Sequence, residues 1–232
     1  MKKIIYLLLT LSIISCAKEE KDLVVKGSIK GLQKGTIYLK KIKDNKFITI
    51  DSLIVNGNPE FEFTTNLDSP EVLYLYLDKN GIENETISFF ADKGITEINT
   101  SLKNFFYDAK IKGSAQQEKL NEYRKLMSRL NDQNLDLIKE NLEASKVKDS
   151  SKLDSLQKAY EGLIKRKYLY TVNFAINNKD SEVAPYLALT EIYDAKITFL
   201  DTINNSLTKK VKASMYGKQL QEFIDKVKAS GE

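Results

Sequence analysis

The chain has 232 residues, with 36 Lys and Arg against 32 Asp and Glu, one cysteine, and neither histidine nor tryptophan. That inventory excludes a Ser-His-Asp triad and the usual zinc sites, and a single thiol cannot supply a CxxC redox pair. A net charge of +4, reduced to +2 without Lys2 and Lys3, argues against a nucleic-acid partner, which would need a clustered basic face.

At the amino terminus, Lys2 and Lys3 precede an apolar run from Ile4 to Ile14 that is broken only by Thr10 and Ser12. The run is too short to span a bilayer as a helix, which takes about 20 residues. Basic residues followed by a short apolar run form the pattern of a secretory signal peptide, here residues 1–15. Ile13-Ile14-Ser15-Cys16 resembles the bacterial lipobox, in which a small residue precedes the cysteine that is diacylated and becomes the new N-terminus. That resemblance implies lipidation of Cys16 and a membrane anchor held by buried acyl chains such as palmitate, each CH₂ contributing about 0.8 kcal/mol. Residues 16–21 then form a lipidated tether. Within it, Cys16-Ala17-Lys18-Glu19-Glu20 resembles the export signal of Bacteroidota lipoproteins, which implies the outer membrane, on its periplasmic or cell-surface side. A plain solvated charged tether is the alternative.

From residue 22 to 113 the pattern is one of short apolar runs separated by turns, as in an antiparallel β-domain. The runs are Leu23–Ile29, Gly35–Leu39, Phe47–Ile54, Glu60–Thr64, Val72–Leu77, Thr86–Ala91, Ile95–Ile98 and Phe105–Ile111. Asn56-Gly57-Asn58-Pro59 is a strong turn signal, because Asn and Gly accept positive φ. Strict alternation in Glu60-Phe61-Glu62-Phe63 points both phenylalanines to a core. Asp92-Lys93-Gly94 is expected to close a tight hairpin. About eight strands at this spacing imply a sandwich or barrel.

The period becomes helical over residues 114–232. Ser114-Ala115-Gln116-Gln117 reads as a capping box, and Leu120, Tyr123, Met127, Leu130 and Leu137 follow at helical spacing to about Leu142. After the polar break Lys146–Ser151, a second stripe runs through Leu153, Leu156, Tyr160, Leu163, Tyr170 and Phe174. Two such stripes predict a long antiparallel helical hairpin. Shorter helices are expected at Val183–Tyr193, Phe199–Lys212 and Tyr216–Lys228, the last capped by Ser214, with Pro185 acceptable only in a first turn. The fold class is therefore α+β, an antiparallel sandwich or barrel-like domain followed by helices.

Few groups here favour catalysis. Glu83 with Glu85, or Asp92 with Glu97, are the carboxylate pairs to consider for acid/base work, but adjacent surface acids are far commoner than catalytic pairs. Asp44-Asn45 and Asp78-Lys79-Asn80-Gly81 are short of calcium ligands and read as turns. Gly27-Ser28-Ile29-Lys30-Gly31 lacks the spacing and the following helix of a phosphate loop. Aromatic side chains fall on strand and helix stripes and read as core, and Lys40-Lys41 and Lys209-Lys210 as solvated faces. No enzyme activity, metal or cofactor is expected.

Several of these segments, taken in order, resemble domain of unknown function 4369. They are Gly27–Gly31, Gly35–Leu39, Ile50–Gly57 followed by Phe61-Glu62-Phe63, Pro70–Leu75, Phe89–Gly94 and Ile111–Ser114. The resemblance covers about residues 22–118. Asp51 and Ser52, which belong to it, are read as marking a strand end. Such domains front Bacteroidota lipoproteins that end in a thioredoxin-like thiol-disulfide oxidoreductase. Asn177–Ala184 and Ser214–Lys218 resemble the connecting segment of those proteins. The Trp-Cys-x-x-Cys motif of the redox domain is missing, so the resemblance implies the accessory half without the catalytic half. The expected function is a non-catalytic, lipid-anchored extracytoplasmic module that binds a protein partner or ligand. The alternative is an accessory to thiol-disulfide exchange, supporting a separate thioredoxin-like protein.

Overall fold

The computed structural model describes residues 21–44, 46–79 and 85–231. Cys16 and Glu83 lie outside these residues. Eight strands come first: β1 (Leu23–Lys30), β2 (Lys34–Lys43), β3 (Lys46–Asn56), β4 (Glu60–Thr65), β5 (Glu71–Asp78), β6 (Glu85–Ala91), β7 (Gly94–Ser101) and β8 (Lys110–Lys112). They form two four-stranded sheets, one in the order β4-β1-β7-β8 and the other β3-β2-β5-β6. Alternation builds the core between them. Val25, Phe61, Phe63 and Ile98 from the first sheet meet Ile37, Leu39, Leu73, Leu75 and Phe89 from the second.

The architecture is α+β and sandwich-like, as expected, and most neighbouring strands are antiparallel. One pair is not: β1 and β7 run parallel from Leu23–Gly94 to Lys30–Ser101. This follows from the fate of Asp92-Lys93-Gly94. The segment does not close a hairpin, because β6 pairs only with β5 and β7 lies in the other sheet. The chain crosses between sheets there, and the Gly94 N–H donates to the Asp22 carbonyl at 2.6 Å. Asp51 and Ser52 sit inside β3, where the register with β2 shifts at Leu39/Lys40, rather than at a strand end. The Phe105–Ile111 run is mostly turn, and only Lys110–Lys112 is strand. Side chains take over its backbone partners: Thr100 Oγ1 donates to the Phe105 carbonyl at 2.6 Å, and the Asn104 N–H donates to Ser101 Oγ. Phe105 is still core, whereas Phe106 and Tyr107 are exposed.

Six helices follow: α1 (Ala115–Lys146), α2 (Ser150–Asn177), α3 (Val183–Glu191), α4 (Ile197–Ser206), α5 (Lys209–Ala213) and α6 (Met215–Ser230). The long hairpin is present, with Asp149 capping α2 through the Lys152 N–H. Buried Tyr123 and Thr171 share a hydrogen bond of 2.8 Å across it. Tyr160, expected on the inner stripe, is instead 41% exposed. The single helix expected over Phe199–Lys212 is two. Leu207 adopts ψ 142°, and Thr208 begins α5 by accepting the Val211 N–H. Pro185 does lie in the first turn of α3.

The helices pack on the outer face of the β5–β6 side. Val72 and Phe90 from the sheet meet Leu120, Tyr123, Met127, Phe174, Val183 and Leu187. This explains why Val72 of β5 and Phe90 of β6 are buried apolar side chains on the outer face. A second helical core, with Leu200, Ile203, Val211, Leu220 and Ile224, holds α2 to α6 together.

Candidate functional site

The capping box at α1 is built differently from the expectation, and the difference ties the sheet to the helices. Ser114 Oγ does accept the Gln117 N–H, at 3.0 Å. The Gln117 side chain, however, does not return to Ser114. Its Oε1 accepts the Phe90 N–H of β6 at 2.7 Å, the open edge of the sheet. Asp92 supplies the second cap, since its Oδ2 accepts from both Ser114 Oγ and the Gln116 N–H at 3.0 Å. A carboxylate at a helix N-terminus is stabilised by the helix dipole. Gln116 in turn accepts from Ser181 Oγ at 2.5 Å, fixing the connection that leads into α3.

Three further contacts close this junction. The Val72 N–H donates to Tyr216 Oη at 3.0 Å, and the Met215 N–H to Ser69 Oγ at 3.4 Å. Phe90, Tyr186 and Tyr216 meet edge to face, with centroids 5.2 to 5.7 Å apart. Burial pushes the Tyr216 phenol well above its ordinary value, so it stays protonated. The α5–α6 corner is tight, because a Cβ on Gly217 would lie 2.0 Å from the Val211 carbonyl oxygen.

Between these elements lies a cavity of about 940 Å³, lined among others by Asp92, Glu182, Lys210, Ser214, Lys218 and Glu222. Glu182 is only 2% exposed. Burial raises its carboxyl above the ordinary glutamate range. Its own backbone N–H and Lys210 oppose that shift, while Asp92 and Asp180 add to it. Among the described residues no ion pair closes on its carboxylate. Buried Glu182 thus shares the lining of one cavity with Lys210 and Lys218.

Of the carboxylate pairs considered from sequence, Glu83 lies outside the described residues, and Asp92 and Glu97 are not brought together. Asp92 is a helix cap in the junction cavity, whereas Glu97 faces an open depression on the outer surface of the β1–β4–β7 sheet and accepts from Asn99 Nδ2. Glu85 is held by Lys79 at 2.8 Å. Asp44, at φ 51°, is a turn residue. Glu182 and Lys210 carried no sequence signal for this placement. Glu182 precedes an apolar helix start, and Lys210 belongs to a pair that reads as a solvated face.

The described residues thus form an eight-stranded, two-sheet sandwich fused to a helical region, with a charged cavity at their junction. Its first part, residues 23–120, matches the family model Domain of unknown function (DUF4369). The match runs from β1 into the first turns of α1 and takes in Asp92, Ser114 and Gln117, but stops short of Glu182 and Lys210. No curated protein matches the chain.

Proposed function

We propose that this chain is a non-catalytic, lipid-anchored extracytoplasmic module that binds a small zwitterionic ligand, such as a short peptide, in the junction cavity. The observation that carries the reading is buried Glu182 facing a cavity whose lining also holds Lys210 and Lys218. An ammonium group fits the carboxylate and a carboxylate group fits the lysines. The volume falls within the range of small-molecule sites, about 300–1,000 Å³. The anchor is supported by the signal-like residues 1–15 and by Cys16, and the outer membrane by Lys18-Glu19-Glu20. For a protein partner, support comes from α1, where Leu135, Ile138 and Leu142 expose an apolar stripe on the distal hairpin.

Glu182→Gln tests the site by two readouts at once. The raised carboxyl means that folding disfavours the charged form. The penalty is present at neutral pH and disappears once the pH falls below the ordinary glutamate value, about 4.3. The variant should therefore melt higher than wild type at pH 7 and level with it near pH 4. Tetra-alanine with free termini should raise the wild-type Tm, the N-acetylated, C-amidated peptide should not, and neither should act on the variant. Equal shifts by both peptides, or a shift that survives in the variant, would refute the zwitterion site.

A further inference from the structure

The strand ladder of β2 and β3 runs on past the last β2–β5 pair, Lys41–Leu73, through Ile42–Phe47 to Lys43–Lys46. This projecting hairpin is unusual for an exposed element. Phe47 is 58% exposed, Ile42 44% and Ile48 41%. Lysine dominates the charge of residues 40–48, with Lys40, Lys41, Lys43 and Lys46 against Asp44 alone. Lys40 lies over the Tyr76 ring at 3.6 Å, and Lys41 is 3.8 Å from Glu71. Lys43 and Lys46 remain at the tip beside the apolar side chains. Phe47 meets Tyr74 edge to face at 5.0 Å, which fixes the direction of its ring.

The position of the hairpin follows from the topology. Leu23 opens β1 opposite Thr65 and Gly94. Residues 66–70 carry the chain from Thr65 to Glu71, and Asp92-Lys93 from Ala91 to Gly94. Contacts cross this end of the sandwich: Lys93 reaches Asp22 at 2.7 Å, and the Leu67 N–H donates to Asp22 at 2.8 Å. Glu71, at the start of β5, is paired with Lys41 at the root of the hairpin. The chain therefore enters the sandwich at the end from which the hairpin projects. From Cys16 to Asp22 is six residues' length, a reach of about 20 Å when extended.

We propose that the β2–β3 hairpin is a second membrane contact, with Ile42, Phe47 and Ile48 entering the interface of an anionic bilayer and Lys43 and Lys46 pairing with its headgroups. The proposal rests on the lipid anchor at Cys16. A tether that short holds this end of the sandwich near the bilayer, and an acyl anchor is strengthened by an adjacent basic patch. Apolar side chains on a hairpin rich in lysine suit an interface of apolar chains and phosphate groups.

The chain has no tryptophan, so Phe47→Trp introduces a sole indole reporter that keeps a ring beside Tyr74. The full lipidated variant is reconstituted into vesicles of phosphatidylcholine with or without phosphatidylglycerol, floated, and quenched with acyl-brominated lipid. The expected result is emission quenched about twofold or more in anionic vesicles, lost in the Lys43→Glu/Lys46→Glu background and by high salt. The same reporter at Leu142→Trp, on the distal hairpin, should stay unquenched. Protein that floats without quenching at position 47 overturns the hairpin contact and leaves the anchor standing. Protein that does not float overturns the anchor and the contact built on it. Quenching indifferent to lipid charge overturns the anionic surface. Emission that shifts with protein concentration before vesicles are added marks a second copy on this face and overturns the proposal as well.

Discussion

Replacing Phe90 by alanine is expected to destabilise the protein by about 3–5 kcal/mol, the range for deleting a buried phenylalanine ring. Phe90 is 0% exposed although it points away from the sandwich core. Its ring fills the space between β6, α3 and α6, against Tyr186 at 5.4 Å and Tyr216 at 5.7 Å. The substitution leaves the Phe90 N–H free to keep its bond to Gln117 Oε1, so the loss reports the ring alone. For a chain of this size the Tm should fall by about 10 °C. Because Phe90 belongs to the contact between sheet and helices, the melt also reports on their coupling. A single transition that moves as a whole is expected. A sandwich melting at its wild-type temperature after early loss of helix would show that the junction does not bind the two parts into one unit.

The second large effect is at Gly27, in the middle of the one parallel strand pair. A Cβ placed there would lie 1.7 Å from the Ile98 carbonyl oxygen and 2.6 Å from its carbonyl carbon. Both atoms are backbone, and Ile98 is held on both sides, by β1 and by β8. No side chain can swing away to make room. Gly27→Ala should therefore cost about 3 kcal/mol, at the upper end of overpacking penalties. Ser28→Ala, one residue on, removes only the 3.0 Å contact between Ser28 Oγ and Asn99, and should cost about 1 kcal/mol. Denaturant melts of the two variants compare these losses directly. A Gly27→Ala protein as stable as wild type would contradict the close β1–β7 approach.

Much of this architecture could be read in the order of residues, and the failures have physical causes. Alternation placed Phe61 and Phe63 in the core, and the break around Lys146–Ser151 located the turn of the helical hairpin. Local patterns said little about which strand pairs with which. Asp92-Lys93-Gly94 is a good hairpin sequence, yet the chain uses it to change sheets, and the parallel β1–β7 pair follows from that crossing. Gln117 is a proper capping residue by spacing, but the Phe90 N–H offers its side chain a partner at an otherwise open sheet edge. Thr208 splits a continuous helical stripe because its hydroxyl caps α5.

The junction cavity was legible only in part. The segments Asn177–Ala184 and Ser214–Lys218, which resemble a connecting region, both contribute to its lining through Glu182, Ser214, Met215 and Lys218. Nothing local distinguishes Glu182 from the other acids, because its burial is produced by elements distant in the chain. The hairpin lysines likewise read as an ordinary charged run. Only the sheet topology puts them at the end where the chain enters.

The proposed anchor stands or falls with Cys16, and mass spectrometry of the N-terminal tryptic peptide from membrane-extracted protein tests it most directly. The expected peptide is Cys16-Ala17-Lys18, beginning at the cysteine and carrying a thioether-linked diacylglyceryl group. A chain that retains Met1, or one cleaved to leave Cys16 unmodified, would contradict the anchor.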